Sequence, residues 1–69
     1  MPNSRIKRPD PQNPGWTLGW GVFRGAPWDF QGLFNLETEA REKAAALGAD
    51  YEVQYGSNRD GTDDFVYHS

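Results

Sequence analysis

No cysteine occurs in this 69-residue chain, so no disulfide framework can make up for a small core, and the apolar interior has to come mainly from ten aromatic rings. Trp16, Trp20, Phe23, Trp28, Phe30, Phe34, Tyr51, Tyr55, Phe65 and Tyr67 all follow residue 15. A domain of this size buries only about 60% of the surface its unfolded chain exposes. Each ring contributes roughly 150–250 Å² of burial, which suffices for one two-layer domain and no more. A Cys-based zinc site is excluded, and no cofactor is expected.

Residues 1–15 read as a flexible Pro-rich basic arm. Pro2, Pro9, Pro11 and Pro14 each remove a backbone donor and bias the residue before them away from the helical region. Residues 16–69 read as a single small α+β domain. Trp16, Leu18, Trp20 and Val22 alternate with Thr17, Gly19, Gly21 and Phe23 at the period of a half-buried strand, large on one face and nearly bare on the other. Gly25 to Trp28 supply turn chemistry, and Phe30–Phe34 is a short second strand weakened by Gly32.

The period then changes. Leu36, Ala40, Ala44 and Leu47 fall at helical spacings, with Glu37, Glu39, Arg41, Glu42 and Lys43 spread round the other side. Asn35 is placed to cap the first amides, the glutamates sit at the positive end of the helix dipole, and Gly48 follows the last apolar residue. Ala40, Ala44 and Ala45 give the helix a small-residue stripe for close approach to a sheet. Alternation returns at Tyr51, Val53 and Tyr55, followed by the loop Ser57–Thr62 and a last strand from Asp63 to Ser69. The expected fold is α+β: an antiparallel sheet of three or four strands with one helix packed on one face, in the order β-β-α-β-β.

Charge is distributed unevenly along this layout. Nine of the ten carboxylates lie after residue 15 against Arg24, Arg41, Lys43 and Arg59, so the folding part carries about five net negative charges although the whole chain carries −3. Such a body repels nucleic acid and anionic lipid over a Debye length of about 8 Å and attracts basic protein surfaces. No apolar run approaches the ~20 residues of a membrane span, and no hydrophobic segment follows the basic N-terminus, so a cytoplasmic protein is expected.

Catalytic chemistry finds little footing. His68 is the single histidine, near the end of the sequence, and Ser4, Ser57 and Ser69 lack the surroundings of an activated nucleophile. The chain is expected not to be an enzyme. The segment Gly56–Asp64 resembles part of a calcium loop only in its middle, because with Gly61 at the sixth position the first ligand would be Gly56 and the twelfth Tyr67. Glycines 19, 21 and 25 fall short of a dinucleotide fingerprint, since Arg24 stands where glycine is required. They leave either a place for close packing or a flat sheet surface for a partner.

The segment Gly19–Arg24 also invites comparison with base-stacking strands of single-strand nucleic-acid modules, which use a basic groove that is missing from the acidic body. The alternative function is therefore a small nucleic-acid-binding module using the basic arm with Trp20 and Phe23, or a general interaction domain. The leading expectation uses the acids: Glu37, Glu39, Glu42, Asp60, Asp63 and Asp64 supply charge to a basic partner, with Trp28 as an exposed anchor.

Trp20-Gly-Val-Phe, then Thr38-Glu-Ala-Arg-Glu-Lys-Ala, then Ala49-Asp-Tyr-Glu-Val-Gln-Tyr-Gly-Ser-Asn and Gly61, carry a resemblance over about residues 18–66. In layout the chain resembles small phage and mobile-element proteins, including several type I anti-CRISPR inhibitors, and a group of bacterial β-β-α-β-β domains. The anti-CRISPR resemblance implies a non-enzymatic inhibitor that binds a subunit of a CRISPR surveillance complex and blocks target DNA, in some members by imitating DNA charge. The basic arm departs from a pure DNA mimic, and Arg5, Lys7 and Arg8 would then point away from the partner.

Overall fold

The computed structural model describes residues 6–67, and Arg5 and His68 lie outside them. The described residues form a small α+β domain with an antiparallel sheet and one helix: β1 (Arg8–Pro9), β2 (Trp16–Gly25), β3 (Trp28–Phe34), α1 (Glu37–Leu47), β4 (Tyr51–Arg59) and β5 (Phe65–Tyr67). The class is as expected, but the sheet has five strands among the described residues instead of three or four.

The additional strand comes from the segment read as a flexible arm. Arg8 and Pro9 pair with Leu18 and Thr17, and the Lys7 amide donates to Asn35 Oδ1 at 3.1 Å. A proline is tolerated there because β1 sits at a sheet edge, where one row of donors has no ladder partner. β2 is the hub. β4 runs along one of its edges from Trp16 to Arg24, so β1 and β3 share the other end to end. β5 continues the sheet beyond β4, through Gly56↔Tyr67 to Asn58↔Phe65.

The alternation of β2 separates two cores. On one face Trp20 and Val22 pack against Ala40 and Ala44 of α1, with Phe34, Leu47, Tyr51, Val53 and Tyr55 around them, and Trp20 meets Tyr55 edge-on at 5.3 Å. Ala40 and Ala44 are the contact stripe; Ala45 and Leu36 point outward instead of inward. Leu36, an aliphatic residue with no acceptor to offer, is the N-cap residue, so α1 has no side-chain cap; Asn35, expected to cap it, stands one position earlier and accepts the Lys7 amide through its Oδ1. Gly48 ends the helix at φ 130°, a conformation that suits glycine, with its N–H bonded to Ala44 O at 3.0 Å.

The opposite face is far from bare. Phe23, only 1% exposed, meets Trp28, Phe65 and Tyr67 at centroid distances of 5.5, 5.5 and 5.0 Å, and Phe65 stacks on Phe30 at 5.1 Å. β3 and β5 are separated by β2 and β4, about 14 Å in a flat sheet. Their rings meet by lying down across the backbone of Gly21 and Gly56. A Cβ on Gly21 would collide with the Phe65 ring, and one on Gly56 would meet the Val66 carbonyl and, at 2.8 Å, the same ring. The glycines of the bare face are thus the floor of a second core, not a surface left for a partner.

Candidate functional site

The end of the molecule where β3 begins and β4 joins β5 gathers the polar features that the core does not use. The last hairpin is longer in strand and shorter in loop than its sequence suggests, since Ser57 and Asn58 pair with Val66 and Phe65, leaving Asp60–Asp64 as the connection. Asn58 organises that connection. Its side-chain amide donates to Thr62 O at 3.0 Å and to Asp64 O at 2.7 Å. The Thr62 hydroxyl donates to Arg59 O and accepts from the Asp64 amide, and Gly61 supplies a φ of 77° for the reversal.

The loop is also tied to β2 and β3. Asp60 accepts the Thr17 hydroxyl at 2.6 Å, and its amide donates to Gly15 O at 2.9 Å. The Trp28 indole N–H donates to Asp63 O at 3.0 Å while the residue stays 42% exposed. One edge of the indole is therefore bonded, one face rests on Phe23, and the remainder is open to solvent beside Asp63 and Asp64. Arg59 approaches Asp64 at 3.8 Å, but both side chains are more than half exposed and such a pair contributes little. Three carboxylates and one guanidinium leave this loop with a local charge of about −2.

The seven residues singled out from the sequence do not converge. Asp60, Asp63, Asp64 and Trp28 come together on the Phe65 side of the sheet. Glu37, Glu39 and Glu42 ride on α1, which covers the opposite face, and there Glu37 pairs with Arg41 at 2.5 Å. With Arg41 and Lys43 interleaved, the helix carries about one net negative charge across these five residues. The two acidic groups share a charge but not a surface, because the sheet separates them.

The rings that base stacking would require are buried, since Trp20 is 9% exposed and Phe23 1%. Arg24, the cation beside them, donates to Pro27 O at 3.0 Å and lies 5.3 Å above the Tyr51 ring. Tyr51 in turn donates to Asp29, whose other bond is from Gln31 Nε2 at 2.7 Å. These bonds, Tyr51 first, hold the Asp29 carboxyl below its ordinary pKa, and the same contact pushes the Tyr51 phenol up. The cluster fastens β3 to β4 across the helix-covered face.

A concavity of about 370 Å³ lies between residues 8–13 and the sheet, over Leu18, Tyr55, Ser57 and Val66. Asp10 closes one side. Its carboxylate accepts from the Asn13 side chain at 3.0 Å, the Gln12 amide at 2.9 Å and the Ser57 hydroxyl at 2.8 Å, which together hold its pKa down. These donors already use the carboxylate, so the groove reads as the seam where the arm docks. Among the described residues no group of His, Cys, Asp or Glu side chains is placed to hold a metal ion, and no helix is long and apolar enough to cross a membrane.

Comparison with family models, curated proteins and solved structures finds no match to this chain.

Proposed function

We propose that the chain is a non-enzymatic protein-binding domain whose Asp60–Asp64 loop and Trp28 dock on a basic surface of a nucleic-acid-binding protein. The observation that carries this reading is the Trp28–Asp63 hydrogen bond, which sets a half-exposed indole beside Asp63 and Asp64 on a loop braced by Asn58 and Thr62. An aromatic anchor next to charge is the usual make-up of an interface hot spot, and a braced loop loses little freedom on binding. Carboxylates spaced along a rigid loop can take the place of phosphates in a cationic groove. Among such partners is the CRISPR surveillance complex that the layout implies, where the domain would occlude target DNA. The helix acids add long-range attraction only.

The test uses a purified type I CRISPR surveillance complex and a labelled target duplex. Wild-type protein is expected to displace the duplex, more weakly as salt rises, and Trp28→Ala with Asp63→Lys/Asp64→Lys to lose this while remaining folded. Displacement that survives those changes overturns the site. Protein that leaves the duplex bound overturns this partner, and an oligoarginine peptide titrated into labelled protein then tests the surface itself through the Trp28 indole and Asp63–Asp64 resonances. Truncating the arm does not separate this reading from nucleic-acid binding, because β1 and Asp10 belong to the fold. Lys7→Glu/Arg8→Glu makes that distinction instead: it leaves loop-mediated docking in place, whereas a nucleic-acid binder loses affinity.

A further inference from the structure

The Trp28 indole is held on two sides and open on a third. Its N–H donates to Asp63 O at 3.0 Å and one face lies against Phe23 at 5.5 Å, so burying its 42% exposed surface would break both the bond and the ring contact. A ring held this way offers a π face at little further ordering cost. The Asp63 carboxylate is carried by the very residue whose carbonyl grips the indole edge. It is also the acid of the loop with fewest commitments, since Asp60 accepts the Thr17 hydroxyl at 2.6 Å and Asp64 approaches Arg59 at 3.8 Å.

Arg59 and Arg24, the cations of the neighbouring strands, are both directed elsewhere. Arg59 shares the strand parity of Tyr51 and Val53, which is that of the helix-covered face, whereas Trp28 lies with Phe23 on the other. Arg24 lies over the Tyr51 ring at 5.3 Å, with its Nε bonded to Pro27 O. That second place shows the whole arrangement inside one fold: a guanidinium over an aromatic face, and a carboxylate, Asp29, bonded to the same aromatic residue. Trp28 and Asp63 repeat the ring and the carboxylate, and leave the cation to be supplied.

Charge alone accepts lysine as readily as arginine; an aromatic face does not. An ammonium is a compact, strongly hydrated point charge that must give up water to sit on a ring. A guanidinium is flat and weakly hydrated, and while it lies on the ring the N–H groups at its rim stay free to donate to a carboxylate. Resting on the docking surface proposed above, we infer that the open face of Trp28 receives an arginine side chain of the partner, its guanidinium stacked on the indole and donating to the Asp63 carboxylate, so that the surface selects arginine over lysine. The partner's contact segment is then arginine-bearing, not merely basic.

The test compares hexaarginine with hexalysine, equal in charge, titrated at one ionic strength into the isotope-labelled chain and followed through the Trp28 indole and Asp63 amide resonances. Hexaarginine is expected to bind about 2- to 30-fold more tightly, the worth of a cation over an aromatic face. Asymmetric dimethylation of the arginines keeps their charge but blocks two-point bonding, so it is expected to remove part of that margin, and an undiminished margin overturns the contact with Asp63. Trp28→Leu is expected to bring the two peptides level. Equal affinities for the wild-type chain overturn the selection of arginine and leave the docking surface standing. A preference that persists in Trp28→Leu, or that comes without a shift of the Trp28 indole, places the arginine elsewhere and overturns it as well. Binding of neither peptide overturns both the selection and the docking surface.

Discussion

Gly21→Ala and Gly56→Ala ask the second core to accept one methyl group each, and the geometry sets what each must displace. The new Cβ on residue 21 lands in the Phe65 ring, whose other nearby atoms stand at 2.6 and 2.9 Å. The one on residue 56 meets the Val66 carbonyl as well as the Phe65 ring at 2.8 Å and Tyr67 Cβ at 2.9 Å. Overfilling a packed site costs about 1–3 kcal/mol, and expelling a phenylalanine forfeits about 1.5–3 kcal/mol of burial. We expect about 2–3 kcal/mol for Gly21→Ala, where a ring can tilt, and about 3 kcal/mol or more for Gly56→Ala, where strand backbone has to move. A domain this small holds roughly 3–10 kcal/mol in total, so the second variant approaches the unfolding threshold. Gly25→Ala is the control: nothing lies within 4 Å of its Cβ, and its effect stays within about 0.5 kcal/mol. Urea unfolding followed by tryptophan fluorescence reads all three. The decisive measurement is the cycle with Phe65→Ala, in which the Gly21→Ala penalty falls below about 1 kcal/mol because the obstruction is gone. An equal penalty in both backgrounds would refute the assignment of Phe65 to that slot.

Two further outcomes follow from the helix-covered face and the seams beside it. Asp10 and Asp29 have depressed folded-state pKa values, so the stability they contribute is complete above the unfolded value of about 3.9 and is lost as pH falls through the folded values. Tyr51 is raised, so its contribution is complete below about 10 and is lost as pH rises through its folded value. The urea midpoint should form a plateau between these limits, and Asp10→Asn/Asp29→Asn should flatten the acid limb; an unchanged limb refutes the assignment. Leu47→Asp places a carboxylate against the helix–sheet core at the negative end of α1, and a loss of about 2–3 kcal/mol by the same assay is expected.

Much of the architecture was legible because periodicity is local. The spacing of Ala40, Ala44 and Leu47 gave the helix to within a residue, and the alternation from Trp16 to Phe23 gave the hub strand and its two faces. What escaped depends on residues distant in sequence. Prolines argued for a loose arm, yet Asp10 finds Ser57 and Arg8 finds Leu18, and an edge position tolerates the missing donor. Asn35 looked like a cap, yet it stands one position before the N-cap and accepts the Lys7 amide. Gly21 announced only that something comes close; that one phenylalanine fills its position and that of Gly56 is a fact of strand order. For the site, Trp28 and the loop acids were visible as types, whereas Asn58 and Thr62, which hold the loop, passed as ordinary turn residues. The helix acids were added to the same surface because sequence distance says nothing about which side of a sheet an element covers.

The slot over Gly21 and Gly56 also has a consequence for how the chain is made. Residue 65 fills it, so Phe23 and Phe30 are synthesised well before the ring that shields them. At ~5–20 residues per second, about 2–8 s separate the addition of Phe23 from that of Phe65, and until Phe65 is free to fold back the first hairpin lacks its shielding ring. Synonymous codons that slow elongation just ahead of residue 65 should lengthen this window and lower the soluble yield without altering a single side chain.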